Sequence, residues 1–318
     1  MTENMVWKRK KWASAWLGSG VLFLILLLLR NPTVATECVT KSLSLCARAV
    51  IPALFPFMVL SELLIACGFG ELFGKGLGKP ISALFGISRE SSAALFLGFL
   101  CGFPVGAKMT LSLYDKGRIG RHECERLLGF CNLPSIAFLL STVGSSLYES
   151  RAFGILLWVS AMTSACLVGL FSKRKRSSAK ELSPFRLPPL DIPAFTSAIA
   201  SATTAMLSIC AYILFFGTLV GTLSHVLAEL SVPKEISALL YGLFELTSGT
   251  EAAASLSNRL FSVLLCALTV GWSGLSIHCQ LITLCDGRGL SYRFYFLARI
   301  AEAIICALLV LIFFPFCF

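Results

Sequence analysis

The sequence predicts an all-α membrane protein with about seven transmembrane helices and two re-entrant hairpins arranged as an inverted repeat. Of its 318 residues, 56% are hydrophobic and only 14% are charged. A soluble domain of this size cannot bury so much apolar surface. Uncharged runs such as residues 12–29 and 152–171 can cross a hydrocarbon core of about 30 Å. In addition, one pattern of interrupted apolar segments occurs twice along the chain.

The apolar runs predict where the spans lie. They are residues 12–29, 43–67, 127–148, 152–172, 196–224, 261–285 and 295–316. We favour an uncleaved first helix over a signal peptide, because the run is long and no small-residue cleavage site follows it. The chain then divides into an N-terminal helix with connector (1–42), a first repeat (43–172), a basic and proline-rich cytoplasmic linker (173–195) and a second, inverted repeat (196–318).

Two further segments, residues 91–115 and 236–258, each contain two apolar arms of about 11 residues. The arms are separated by GFPVG in the first segment and by LTSG in the second. A helix of 11 residues is about 16 Å long, which is half of a bilayer. We therefore predict two re-entrant hairpins, whose unwound tips must be covered by protein or face water.

Each hairpin precedes a span that has a polar break of its own. The first break contains Asn132 and Pro134, and the second extends from Gly271 to Gly274. The order span, hairpin, broken span, span therefore occurs from about 43 to 172 and again from about 196 to 316. Three full crossings separate equivalent points, so the second half is predicted to be upside down relative to the first.

Basic residues predict the orientation. With a cytoplasmic N-terminus, 19 of the 27 lysines and arginines lie on the cytoplasmic side and 6 on the other. This asymmetry is typical of membrane proteins and explains the net charge of +10. No nucleic-acid partner is expected, because no RNA-binding motif or zinc-ligand spacing is present. The expected partners are the lipid bilayer and a small anionic substrate, and the formation of a homo-oligomer is left open.

Inverted repeats with broken helices place their binding site where the breaks meet, near the midplane. The predicted substrate-binding residues come from four places. They are Gly102, Phe103, Pro104, Gly106 and Lys108 at the first tip; Asn132, Pro134 and Ser135 at the first break; Glu245, Thr247, Ser248, Gly249 and Glu251 at the second tip; and Trp272, Ser273, Gly274, Ser276, His278 and Gln280 at the second break.

Lys108 is the most informative of these residues. A cation this deep in a membrane is costly unless it is paired or hydrated. We expect Lys108 to face a cavity, an anionic ligand, or a carboxylate such as Glu245 or Glu251. The alternatives are snorkelling to the interface or a purely structural ion pair between the hairpins. For His278, a helix–helix hydrogen bond and a proton-relay or ligand role both remain open.

No enzyme motif occurs in a suitable context, so we expect a protein that is not an enzyme. Metal binding is not expected either, because adjacent residues of the His122 to Glu125 cluster point in different directions on a helix. Most of the 13 cysteines lie in apolar runs, where they behave as small hydrophobes. No cofactor is predicted, and a coupling ion, Na⁺ or H⁺, is left open.

Residues 102–132, GFPVGAKMTLSLYDKGRIGRHECERLLGFCN, resemble the first signature of the YlbJ-type sporulation integral membrane proteins, also called stage V sporulation protein V. ELTSGTEAA (245–253) and GWSGLSIHCQ (271–280) resemble the second-half signatures, and the likeness extends from about 45 to 315. It implies membership of the nucleoside-recognition, or Gate, domain group and a fold related to concentrative nucleoside transporters. Where that family has a second Asn and a Gly-Pro after Cys-Asn, this chain has Leu133, Pro134 and Ser135.

The resemblance also implies a role in spore formation, where the family is associated with carrying dipicolinic acid from the mother cell across the outer forespore membrane. Dipicolinate is a planar dianion, which agrees with Lys108, with Trp272 as a stacking surface and with helix N-termini at both tips. We therefore expect a transporter of a small organic anion. The alternatives are a nucleoside or other uncharged solute, and a non-transporting spore-envelope assembly protein with a Gate fold.

Overall fold

The computed structural model describes residues 18–173 and 191–316. Nearly all of these residues are helical, and no strand occurs among them, which confirms the predicted all-α class. The basic N-terminal segment, residues 1–17, and most of the predicted cytoplasmic linker lie outside the described residues.

The chain enters the fold through two helices that meet at a sharp bend. The axes of α1 (Gly18–Arg30) and α2 (Pro32–Leu45) differ by 97°, and α2 continues through a π-helical turn, Cys46–Val50, into α3 (Ile51–Ala66). Residues 32–42 were predicted as a connector but are helical. Proline is well tolerated at the first position of a helix, where its missing N–H has no intrahelical partner to lose.

The first half contains the predicted hairpin and the predicted break. Two short helices, α4 (Phe69–Lys75) and α5 (Gly78–Phe85), lead into the hairpin formed by α6 (Ser91–Cys101) and α7 (Val105–Asp115). The broken span follows as α8 (Arg121–Phe130) and a π-helical segment (Phe138–Leu147), with unwound backbone at residues 131–135. Helix α9 (Arg151–Phe171) completes this half.

The second half repeats this order. Its first helix, α10 (Ile192–Glu229), has 38 residues and is therefore about 57 Å long, well beyond the predicted span 196–224. The second hairpin consists of α11 (Lys234–Phe244) and α12 (Leu246–Ala254). The LTSG sequence predicted to separate its arms is instead the first turn of α12, whose N-cap is Glu245, so the turn between the arms is shorter than predicted. The second broken span consists of α13 (Arg259–Trp272) and α14 (Gly274–Leu284), followed by α15 (Arg293–Phe313).

Four helical stretches of the described residues are long and apolar enough to span a membrane, or five if the bent pair α1 and α2 counts as one. They are Arg151–Phe171, Ile192–Glu229, Arg259–Leu284 and Arg293–Phe313. The predicted count of seven is not confirmed, because the span 12–29 is described only from Gly18 onward and the segments 43–67 and 127–148 are divided into shorter helices. Segment 43–67 is interrupted by the π-helical turn and segment 127–148 by the unwound backbone at residues 131–135.

At one end of the molecule, the first hairpin and first broken span contact the loop that follows the second broken span. Arg288 donates two hydrogen bonds to the Asp115 carboxylate, at 2.8 and 2.7 Å, and these bonds lower the pKa of Asp115. The Ser291 N–H donates to Glu125 at 2.8 Å.

The reciprocal contact occurs elsewhere, between the end of the first broken span and the start of the second. The hydroxyl groups of Tyr148 and Ser262 lie 2.9 Å apart, and Arg259 donates to the Tyr148 carbonyl at 3.2 Å. The start of each broken span therefore lies beside the end of the other. This is the pattern expected of two halves that run in opposite directions.

Candidate functional site

The tip of the first hairpin lies directly on the unwound backbone of the first broken span. Gly102 has φ +76°, and the N–H of the next residue, Phe103, donates to the Leu133 carbonyl at 2.8 Å. A Cβ atom at Gly98 or Gly106 would lie 2.1 or 2.3 Å from the Cys131 carbonyl oxygen. This close approach is possible only because those two positions carry no side chain.

The second hairpin tip lies on the second break in the same way. Gly274 has φ +82°, and a Cβ there would lie 3.0 Å from the Leu246 nitrogen. Glu245 is the N-cap of α12, and its carboxylate accepts a hydrogen bond from the Ser248 N–H at 2.6 Å. Gly249, also predicted as a site residue, packs against Gly242 between the two arms instead.

The two tips and the two breaks meet around a cavity of about 380 Å³. Seven of the predicted residues line it, namely Phe103, Pro134, Ser135, Glu245, Thr247, Ser276 and Gln280. All four predicted groups are represented. The sequence therefore predicted which segments would surround one cavity, although the contacts that close it are long-range.

Other walls of the cavity were not predicted. They come from the α2–α3 segment, from the π-helical segment and from α10, through Leu45, Val50, Leu54, Ala137, Phe138, Ser141, Thr142, Ile209 and Ile213. Most of these residues are apolar and lie in apolar helices, so the sequence gives no signal that separates them from lipid-facing neighbours.

The cavity combines apolar walls with a few hydroxyl and amide groups. Gln280 donates from its amide nitrogen to the Ser276 hydroxyl at 3.3 Å, and Ser135 accepts from the Phe138 N–H at 3.3 Å. Among the described residues that line the cavity, Glu245 is the one carboxylate, and none is a lysine or arginine. Such a cavity can orient a small, partly apolar solute through hydrogen bonds.

Lys108 is paired as expected, but its partner was predicted wrongly. Its ammonium forms an ion pair with Glu62 of α3 and donates to the Ser201 hydroxyl of α10 at 3.1 Å. That hydroxyl donates in turn to Glu62 at 3.0 Å. Neither Glu245 nor Glu251 is involved, because this face of α7 packs against α3 and α10 rather than against the second hairpin. The sequence does contain a signal for this partner, because Glu62 is the one charged residue in the apolar stretch 51–66.

Glu251 and Trp272, which were also predicted as site residues, lie outside the cavity lining too. Glu251 is largely exposed, and its carboxylate lies 3.4 Å from the Lys41 ammonium. The indole N–H of Trp272 donates to the Leu243 carbonyl at 3.0 Å, and its ring meets the His278 ring edge-on, with centroids 4.3 Å apart. Trp272 therefore joins the second hairpin to the second broken span.

His278 and Asn132 belong to a buried polar layer next to the cavity. The imidazole Nδ1 of His278 lies 2.7 Å from the Tyr295 hydroxyl, which is the helix–helix hydrogen bond considered above. The Asn132 side chain donates to the Leu128 carbonyl at 2.8 Å. Ser273 at the second break donates from its hydroxyl to the Val270 carbonyl at 3.2 Å. These side chains stabilise the breaks rather than line the cavity.

Arg299 of α15 supports the first break. Its guanidinium donates to the carbonyls of Gly129 and Asn132 at 3.1 and 2.9 Å and forms an ion pair with Glu302. Both carbonyls lie where α8 unwinds and would otherwise lack partners, and a cation is favourable at the C-terminal end of a helix. The sequence places Arg299 in an apolar span but does not indicate which backbone it contacts.

No family model matches the chain, and no solved structure matches it. Among curated proteins, the chain is similar to the sporulation integral membrane protein YlbJ of Bacillus subtilis (strain 168). The two are 25% identical over 333 aligned residues, which cover 93% of this chain and 81% of the relative. This similarity along almost the whole chain, together with the membrane-spanning helices, supports a YlbJ-type assignment for this protein.

Proposed function

We propose that the protein is a transporter, not an enzyme, and that it carries a small organic anion, dipicolinate, through the cavity between the two hairpin tips. The observation that carries the proposal is the convergence of two unwound tips and two broken spans on one cavity of about 380 Å³. Broken helices that meet in this way are the usual site architecture of secondary transporters. The similarity to a sporulation membrane protein supports the choice of a spore component as substrate.

The cavity has features that suit a planar aromatic acid. Phe103 and Phe138 provide aromatic surface, while Ser135, Thr142 and Gln280 provide hydrogen-bond donors. Helix α12 begins at the second hairpin tip and α14 begins at the second break, and helix N-termini favour anionic groups. We propose that the aromatic side chains bind the ring of dipicolinate, and that the hydrogen-bond donors and the helix N-termini bind its carboxylates.

The reciprocal contacts between the two halves support a mechanism of alternating access. In this proposal, the halves form an inverted repeat related in fold to concentrative nucleoside transporters, and one half moves relative to the other around the cavity. The N-terminus lies in the cytoplasm, as the distribution of basic residues favours. The protein then acts in the outer forespore membrane of sporulating cells, embedded in lipid, without a nucleic-acid partner, and in one or several copies.

One observation favours a second candidate, an uncharged solute such as a nucleoside. The described lining of the cavity includes the carboxylate of Glu245 but no basic side chain, which is unfavourable for a dianion. A non-transporting assembly protein is supported less well. It agrees with the ion pair between Lys108 and Glu62, but it gives no reason for a cavity at the four breaks.

The experiment is uptake of labelled dipicolinate into inside-out vesicles that contain the full chain, compared with vesicles without it. Saturable uptake that excess dipicolinate inhibits and excess uridine does not would support the anion transporter. Saturable uptake of labelled uridine without uptake of dipicolinate would favour the second candidate. If a correctly folded and oriented protein transports neither solute, the transporter proposal is contradicted.

A further inference from the structure

Carboxylates inside the apolar segments have basic partners at every position but one. Five carboxylates of the described residues lie within the predicted spans and hairpins: Glu62, Asp115, Glu245, Glu251 and Glu302. Four of them pair with basic side chains, which are Lys108, Arg288, Lys41 and Arg299. Over residues 18–173 and 191–316, Glu245 forms no ion pair with a lysine or arginine. The exception is thus the carboxylate that lines the cavity.

Glu245 is buried, with only 6% of its surface exposed. One carboxylate oxygen accepts the hydrogen bond from the Ser248 N–H, and the start of α12 contributes only a partial positive charge. A full negative charge at this depth requires a further partner, water or a neutralising ion. An anionic substrate in the same cavity adds negative charge, so the requirement becomes stronger when the substrate is bound.

The surrounding elements do not supply the missing charge. Around α12, the titratable or charged residues are Lys234, Glu235 and Tyr241 on α11, Glu251 on α12 itself, Arg259 and Cys266 on α13, and His278 and Cys279 on α14. The π-helical segment Phe138–Leu147 contributes none. The facing walls carry Glu37, Cys38 and Lys41 on α2, Cys46 and Arg48 on the π-helical turn, Glu62 on α3, and Cys210, Tyr212, His225 and Glu229 on α10. None of these residues lines the cavity.

The basic groups in that set are directed elsewhere or lie away from the cavity lining. Arg259 contacts Tyr148, and His278 is hydrogen-bonded to Tyr295. His225 lies 3.4 Å from Glu229 at the far end of α10. Arg48 is exposed. The positive charge that Glu245 lacks therefore has to come from solution.

We propose that Glu245 binds a monovalent cation, either a proton or Na⁺, that enters the cavity together with the anionic substrate. The inference rests on the proposed function, since the anion is the substrate proposed there. A proton converts the carboxylate into a neutral acid, and Na⁺ is held by the carboxylate oxygens with nearby hydroxyls such as that of Thr247. In either case the cation removes the repulsion between Glu245 and a substrate carboxylate.

The test measures the affinity of the purified full chain for labelled dipicolinate at acidic and neutral pH, and with Na⁺ or an inert organic cation. The wild type is expected to bind at least about tenfold more tightly when one of these cations is supplied. Glu245→Gln, which is neutral and of similar size, is expected to bind equally well with or without it. Glu251→Gln is the matched control on the same hairpin and is expected to behave like the wild type.

The two arms identify the cation, since a response to pH alone indicates a proton and a response to Na⁺ at fixed pH indicates sodium. Unchanged cation dependence in Glu245→Gln would overturn the proposal, as would a wild type that needs neither cation. A second readout does not involve dipicolinate: the cation should raise the melting temperature of the wild type but not that of Glu245→Gln. If the cation stabilises the wild type but dipicolinate does not bind, the proposed function is contradicted and the cation site at Glu245 is supported. If the cation does not stabilise the wild type and dipicolinate does not bind, the cation site is overturned.

Discussion

The close contact between the first hairpin tip and the first break gives a sharp prediction for Gly106→Ala. The new Cβ would lie 2.3 Å from the Cys131 carbonyl oxygen. An ordinary carbon–oxygen contact is about 3.3–3.6 Å, so the two backbones must separate by about 1 Å. Overpacking of this kind costs about 1–3 kcal/mol, and we expect the upper end because the atoms that the new Cβ meets, the Cys131 carbonyl oxygen and the Gly98 Cα, belong to the backbone and cannot rotate away. Because alanine has a better helix propensity than glycine, it offsets about 1 kcal/mol of this cost, and the free energy of unfolding should fall by about 2 kcal/mol.

The assay is thermal unfolding of the purified protein in detergent, followed by dipicolinate uptake in vesicles. Gly20→Ala is the matched control, because it is also a helical glycine and a Cβ there meets no atom within 4 Å. Gly106→Ala should lower the melting temperature and reduce uptake, while Gly20→Ala should do neither. A Gly106→Ala variant as stable as the wild type would refute the conclusion that the tip rests directly on the break.

Three further predictions concern charges that join the elements. Lys108→Met should destabilise the protein by about 2 kcal/mol, less than the roughly 3–5 kcal/mol of a fully buried pair. Combining it with Glu62→Leu should recover most of that loss in thermal unfolding, and equal loss in single and double variants would contradict the pairing. Arg299→Met should lower the free energy of unfolding by at least about 3 kcal/mol in the same measurement, because it leaves carbonyls of the first break and a buried carboxylate without their cation. A variant as stable as the wild type would show that Arg299 does not stabilise the first break. Because hydrogen bonds from Arg288 lower the pKa of Asp115, their stabilisation is present above the ordinary aspartate pKa of about 3.9 and is lost as the pH falls through the lowered value. Asp115→Asn should therefore lower the stability at neutral pH by less than about 1 kcal/mol, since the pair is partly exposed, and the difference should disappear in acid; a difference that grows in acid would contradict the assignment.

The sequence predicted the hairpins and breaks well because their signals are local. The first hairpin was predicted at 91–115 and is helical over Ser91–Cys101 and Val105–Asp115, with the GFP sequence at its tip. A break in a short apolar segment follows directly from Gly, Pro and Asn in that segment. The cavity was predicted to the same extent, since it requires only that four such breaks meet near the midplane.

The partner of Lys108 could not be predicted in this way. Its depth in the membrane indicates that a partner is required, but the choice among Glu62, Glu245 and Glu251 depends on which face of α7 meets which helix. That orientation is set by packing against α3 and α10 and leaves no pattern in a single sequence. The α2 helix was missed for a related reason, because residues 32–45 are too polar to resemble a span and are stabilised by packing along α10.

Two substitutions on one helical segment test most directly whether the substrate passes through the cavity between the two tips. Ser141 and Ser145 are both exposed on the π-helical segment, but Ser141 lines the cavity and Ser145 does not. A phenylalanine should therefore be tolerated by the fold at either position, and only at position 141 should it fill the cavity. Ser141→Phe should reduce dipicolinate uptake into inside-out vesicles at least about tenfold, while Ser145→Phe should transport like the wild type. Equal uptake by the two variants, at equal expression and stability, would contradict passage of the substrate through this cavity.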